Sequence, residues 1–133
     1  MTVRDSIPPD EDPDSAWWWD SLRRGELLLP RCQDCKTHFF PPMPGCPHCG
    51  STELGAEPAS GRGAIYSWVV VHRALDPVFA DEVPYTILTV DLDEGPRVFG
   101  RADEHIVPAA GVPVRFTPYR VGDEVLMGFS TEA

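Results

Sequence analysis

Hydrophobic positions along the chain fall into regions of unlike texture. The first dozen residues carry Pro8, Pro9, Asp10, Glu11 and Asp12 with hardly an apolar neighbour, which predicts a disordered acidic tail over 1–12. Asp12-Pro13 then offers a capping carboxylate and a proline suited to the first helical turn. A helix is predicted from there through Trp17, Trp18, Trp19 and Leu22, stopping at Gly25. Leu27, Leu28 and Leu29 form a lead-in strand, so 13–29 reads as one unit. Over 30–56 no helical or strand period persists, and Pro41, Pro42, Pro44 and Pro47 oppose helix. Behind Gly61-Arg62-Gly63 the pattern becomes β. Strands are expected over Ala64 to His72, Pro84 to Asp91, around Val98-Phe99, over Val112 to Phe116 and over Val125 to Phe129. The links are rich in Pro, Gly and Asp and too short for crossover helices. A mainly β chain follows, with a five-stranded antiparallel barrel over 57–133. Asp103 to Ala110 is an excursion with room for one helical turn.

The region without periodicity holds every cysteine. Cys32-Gln33-Asp34-Cys35 and Cys46-Pro47-His48-Cys49 are two Cys-x-x-Cys pairs separated by ten residues. Each pair brings two sulfurs to one ion from a tight turn, and two such turns complete a tetrahedron around zinc. Four thiolates leave no position for water, so the ion is read as structural Zn²⁺. Iron in the same ligands and a pair of disulfides stay open as lesser alternatives. His38 and His48 lie within the same stretch and read as neighbours of the site, with Arg31 and Lys36 offsetting thiolate charge. Phe39, Phe40 and Met43 read as a small apolar cap.

At 133 residues the chain suffices for one compact domain with a metal-stapled appendage. Twenty-one acidic residues against eleven Lys plus Arg give a formal charge of −10. Paired knuckles ahead of strands invite a nucleic-acid reading, but phosphate binding needs concentrated positive charge. Lys36 is the only lysine and the arginines are dispersed, so that reading falls. No apolar run is long enough for a bilayer, and residues 1–15 do not read as a secretion signal. Cytoplasmic residence is the default expectation.

No nucleophile elbow, phosphate loop or dinucleotide fingerprint is present, and Gly61 and Gly63 precede a strand. Asp91, Asp93, His72 and His105 form no recognisable constellation, so catalysis by this chain alone is not expected. Three adjacent tryptophans cannot share one helical face, since neighbours differ by about 100°. Trp17, Trp18, Trp19 and Leu22 are therefore weighed both as core and as an anchor for a partner subunit.

In this order the motifs resemble the zinc-ribbon plus OB-fold family of acyl-CoA-associated proteins, long catalogued as a domain of unknown function. The resemblance is carried by Trp17-Trp18-Trp19, Gly25-Glu26-Leu27 and Arg31-Cys32 through Pro41-Pro42 to Cys46-Pro47-His48-Cys49-Gly50-Ser51. It continues in Gly61-Arg62-Gly63-Ala64-Ile65-Tyr66-Ser67, Pro84-Tyr85 and Leu92-Asp93-Glu94-Gly95 with Arg97. The chain departs from the pattern at Ala110-Gly111-Val112-Pro113-Val114 and at Pro96. The resemblance implies a rubredoxin-like ribbon and an OB-fold barrel. It also implies a non-catalytic partner of a thiolase-superfamily aldolase or acyltransferase, in a heterotetramer, with roles extending to steroid side-chain degradation. A MaoC-like enoyl-CoA hydratase is the alternative partner, and an independent acyl-CoA-binding module a further one. A CoA thioester becomes the ligand shared with the partner, and Arg62, Arg73, Arg97 and Arg101 become candidates for its phosphates.

Overall fold

The computed structural model describes residues 12–131, so the predicted tail lies outside the described residues except for Asp12. Asp12 does not cap the helix, whose N-cap is Ser15 without a side-chain bond; its Oδ1 accepts from the amides of Asp14 at 3.0 Å and Ser15 at 2.8 Å. Those bonds hold a turn rather than the helix itself, and α1 begins later than expected, at Ala16–Arg23. Its end is as predicted. Gly25 takes φ +78, its amide bonds the Leu22 carbonyl at 2.8 Å, and the Glu26 amide bonds the Ser21 carbonyl at 2.9 Å. This paired closure satisfies carbonyls that the helix leaves open.

The chain continues into β1 (Leu28–Cys32), which pairs antiparallel with β2 (Leu54–Pro58) and so frames the cysteine region. β2 was not foreseen: Leu-Gly-Ala-Glu-Pro lacks β-branched residues, and only its partner makes it a strand.

A closed barrel follows from β3 (Arg62–Val71), β4 (Tyr85–Leu92), β5 (Arg97–Ala102) and β6 (Pro113–Phe116), then a hairpin of β7 (Tyr119–Val121) and β8 (Glu124–Leu126), and finally β9 (Gly128–Thr131). The barrel order is β3-β4-β5-β9-β6. Five strands close it, as expected, but the seam between β5 and β9 is parallel. The expectation of an antiparallel barrel is corrected by parity. An odd ring cannot alternate direction all the way round, so at least one neighbour pair must run parallel. The expected strand Val125 to Phe129 is also two elements, divided at Met127: its first half belongs to the hairpin and its second closes the barrel. Asp103 to Ala110 contains turns and no helix.

Strand alternation directs Leu88, Val90 and Leu92 of β4 and Val98 of β5 inward, with Phe129 of β9 opposite. Trp18, Leu22, Leu27 and Leu29 belong to the same apolar cluster, so helix and barrel share one core. Each of these side chains gains roughly 1.5–3 kcal/mol from burial. The cysteine region keeps a separate small core of Cys32, Phe39 and Cys46, with Met43 and Leu54 packed on it. The expected cap of Phe39, Phe40 and Met43 is thus divided, because Phe40 packs on the main core instead.

Gly63 permits a close strand crossing: a Cβ there would lie 2.5 Å from the Asp91 carbonyl oxygen and 2.8 Å from Val90 Cγ1. Backbone and barrel core offer no give. Gly63→Ala is expected to destabilise the fold by about 1–3 kcal/mol in chemical denaturation.

Candidate metal centre and neighbouring clefts

The two knuckles share one local design. In the first, the Lys36 amide donates to the Cys32 carbonyl at 3.0 Å, with Lys36 at φ +65. In the second, the Gly50 amide donates to the Cys46 carbonyl at 2.9 Å, with Gly50 at φ +78. Each turn also aims an amide at sulfur: Cys35 N–H donates to Cys32 Sγ at 3.4 Å, and His48 N–H to Cys46 Sγ at 3.3 Å. A hydrogen bond from Ser51 Oγ to Asp34 Oδ2 at 2.5 Å ties one knuckle to the other.

The four thiols are free, and their sulfurs all lie within 4.8 Å of one another. Cys32 and Cys49 Sγ are 3.5 Å apart, and Cys35 and Cys46 Sγ 3.6 Å. A tetrahedron with Zn–S bonds of 2.3 Å has edges of about 3.8 Å, so the set fits zinc with little adjustment. The protonation chemistry agrees. Hydrogen bonds from Thr37 draw the Cys35 thiol down to about 6. The Ser51 amide also favours a thiolate at Cys49, yet the neighbouring Cys32 sulfur and burial outweigh it and push Cys49 up to about 12. Four crowded sulfurs cannot all ionise without a cation, and Zn²⁺ supplies one. A bound zinc would be held by Cys32, Cys35, Cys46 and Cys49, and its chemistry there is structural.

Neither histidine joins the sulfurs. His38 Nε2 lies 3.4 Å from Glu57, and His48 is exposed. Arg31 is engaged by Glu57 at 2.8 Å and by the Lys36 carbonyl at 2.9 Å. Arg31 is thus paired with a carboxylate beside the site, and the pairing holds the Glu57 carboxyl below its usual range.

Phe40 links the ribbon to the helix, its ring packed at a tilt of 56° against Trp18 with centroids 5.4 Å apart. Trp18 in turn meets Trp19 edge to face at 4.8 Å. The anchor reading of the helix is thereby narrowed. Trp18 and Leu22 are sealed in the chain's own core, while Trp17 and Trp19 are half-buried against it. The i, i+4 relation of Trp18 and Leu22 is the inward stripe, and their neighbours fall beside it.

The four candidate arginines do not converge. Arg62 and Arg73 are exposed, at the head of β3 and in the loop after it. Arg97 is bound to Asp91 at 2.7 Å and lies 3.5 Å above the Tyr66 ring. Arg101, four residues further along β5 and roughly 13 Å away on an extended strand, is nearly enclosed. Its guanidinium lies 3.9 Å from the Tyr85 ring centre and 4.7 Å from that of Tyr119. An NH2 of Arg101 donates to Glu82 Oε1 at 3.2 Å, and the Tyr119 hydroxyl donates to the same oxygen. Burial and the Glu82 carboxylate push the Tyr119 phenol up to about 12, against the opposing pull of Arg101.

Arg101, Tyr85 and Tyr119 stand between two clefts. One, of about 650 Å³, is lined on its polar side by Asp81, Glu82, Asp103 and Glu104. The other, of about 320 Å³, is walled by Trp18, Trp19, Phe40, Phe79, Phe99 and Met127, among others. The sequence reading missed this arrangement, although Gly122-Asp123 between alternating residues is a hairpin signal that would have revealed β7 and Tyr119.

The ribbon ahead of the barrel, with the cysteines at its knuckles, has counterparts in sequence. Residues 19–55 match the ChsH2 rubredoxin-like zinc ribbon domain, and residues 56–129 match the ChsH2 C-terminal OB-fold domain. The chain belongs to the ChsH2 family. Among ChsH2 relatives it is 40% identical over 68% of its length to a probable enoyl-CoA hydratase alpha subunit of Thermomonospora curvata. It is 34% identical over 84% to the 3-oxo-4,17-pregnadiene-20-carboxyl-CoA hydratase alpha subunit of Mycobacterium tuberculosis. The aligned stretches span 28% and 39% of those two proteins. The benzoylsuccinyl-CoA thiolase subunit BbsA of Thauera aromatica is 29% identical over 92% of this chain and 81% of that subunit. A solved chain of the Ltp2-ChsH2(DUF35) aldolase superposes with TM-score 0.84 at 32% identity, covering 93% of this chain and 98% of that one. Among the described residues no helix is long and apolar enough to cross a membrane.

Cys46→Ala removes a buried ligand from a ribbon whose own core is small. Elemental analysis is expected to show near-complete loss of zinc, accompanied by loosening of the ribbon in proteolysis.

Proposed function

We propose that this chain is a non-catalytic accessory subunit of a thiolase-superfamily aldolase or acyltransferase that acts on acyl-CoA thioesters. The observation that carries the reading is the match to the ChsH2(DUF35) chain of an aldolase, which extends over 98% of that chain at TM-score 0.84. The likeness to a thiolase subunit over most of its length supports the same class of partner. The chemistry of this chain agrees with an accessory role. Its thiols form one four-sulfur cluster, while His72 and His105 are exposed on separate loops. In this reading zinc fixes the ribbon, the ribbon and helix stabilise the catalytic subunit, and the assembly is a heterotetramer. Of the candidate arginines, Arg73 is exposed in the loop after β3, whereas Arg97 and Arg101 already hold carboxylates, so Arg73 is the one placed to meet CoA phosphates. A substrate from steroid side-chain degradation accords with the name of the mycobacterial relative.

The second reading is a subunit of a MaoC-like enoyl-CoA hydratase, favoured by the two hydratase alpha subunits. It is weaker because this chain corresponds to the smaller part of each.

Copurification of the native protein separates these readings. A thiolase-fold partner in equal stoichiometry by sedimentation is the expected result. A hotdog-fold partner alone would establish the second reading, and a lone monomer would remove both. Trp17→Ala is expected to weaken partner binding by roughly tenfold or more, with a small change in melting temperature. Equal loss of both would assign Trp17 to the core.

A further inference from the structure

Arg101 is the single charged residue lining the aromatic groove. It lies at the edge shared with the polar cleft, braced by the faces of Tyr85 and Tyr119. Two donors, Arg101 NH2 and the Tyr119 hydroxyl, converge on one carboxylate oxygen of Glu82. That carboxylate is supplied by the loop between β3 and β4, and Glu82 remains about one-third exposed. A fixed cation and a fixed hydroxyl at the end of an apolar trough thus form a two-donor anion site, filled by a side chain from a loop.

We propose that Arg101 and Tyr119 receive the carboxylate of an amphipathic organic acid whose apolar body lies in the Trp18–Trp19 groove, and that Glu82 is the internal occupant which this ligand displaces. The exchange is chemically even at the cation. One carboxylate leaves Arg101 as another arrives, so the charge-assisted bonds are conserved. Glu82 reaches water readily from its place near the surface. The driving force is then burial of the ligand's apolar body against aromatic rings, offset by the entropy of fixing it. A volume of about 320 Å³ is at the small end of ligand sites and suits a body of modest size.

Charge decides against a polyphosphate at this position. Asp81, Asp103 and Glu104 line the adjoining polar cleft and would repel each additional anion, whereas a single carboxylate only replaces the one already present. Arg101 is therefore assigned to the carboxylate of an apolar acid, and not to the nucleotide end of CoA. The connection to an acyl-CoA substrate rests on the accessory-subunit reading; binding of a free acid does not.

The test uses the full zinc-loaded chain, with decanoate and decanol as probes. Calorimetry reads binding, and quenching of tryptophan emission in a Trp17→Phe, Trp68→Phe background reports on Trp18 and Trp19. Decanoate is expected to bind roughly tenfold or more tightly than decanol, as befits a charge-assisted pair. Glu82→Ala should tighten decanoate by about tenfold and leave decanol unchanged, while Arg101→Gln and Tyr119→Phe should each weaken decanoate selectively. If circular dichroism shows that Arg101→Gln does not fold, Tyr119→Phe, which keeps the ring, provides the same comparison. Equal affinity for acid and alcohol, no binding of either, or a Glu82→Ala variant no tighter than the parent would each overturn the assignment. None of these outcomes bears on copurification with a catalytic subunit, so the two readings fail separately.

Discussion

Four sulfurs within 4.8 Å of one another demand a cation, and the front half of this molecule is arranged around that demand. The ribbon has too little apolar material to hold its own shape: beyond Cys32, Phe39 and Cys46 its core adds only Met43 and Leu54. Metal binding is therefore a folding term for this segment. Its effect reaches past the ribbon because Phe40 follows directly on the ribbon's own Phe39 yet packs against Trp18, in the other core. A zinc held by the four cysteines would thus fix where Phe40 stands; Phe40 braces Trp18, and Trp18 with Trp19 forms part of the wall of the aromatic groove. A structural ion distant from any reaction can in this way set the shape of a ligand-sized surface.

The barrel answers a different constraint. Five strands closed in a ring cannot all be antiparallel, and the β7–β8 hairpin lies in the path that brings β9 back between β6 and β5. The same detour carries Tyr119 to Arg101. Closure and site therefore have a common origin: the segment inserted before the last strand is the segment that completes the anion-binding corner.

What the sequence disclosed follows from the range of the interactions involved. The cysteine spacing, the Gly25 helix stop and the strong strands such as Ile65 to Val71 are local, and each was legible from neighbouring residues. β2 was not, because Leu54–Pro58 has weak strand character and becomes a strand only through β1. The inward turn of Trp18 and Leu22 was half legible. Helical geometry said that three tryptophans must diverge but not which one would face the barrel. The groove was not legible at all. Its walls come from α1, the ribbon, the β3–β4 loop, β4, β5 and the β7–β8 hairpin, which meet only after folding.

The arginines show why composition misleads about binding. A net charge of −10 suggests a surface hostile to anions, and the acidic lining of the larger cleft bears this out locally. Burial changes the reckoning at one residue. Arg101 is screened from water by aromatic faces, so its attraction for a single close carboxylate is stronger than for one in solvent, while the cleft's acids limit how many charges it can accept. An acidic surface with one enclosed cation selects for ligands that are mostly apolar and bear one charge. That selectivity would be lost on a basic surface, where any polyanion would bind. The acidity that removed a nucleic-acid role from consideration is thus part of what makes the groove discriminating.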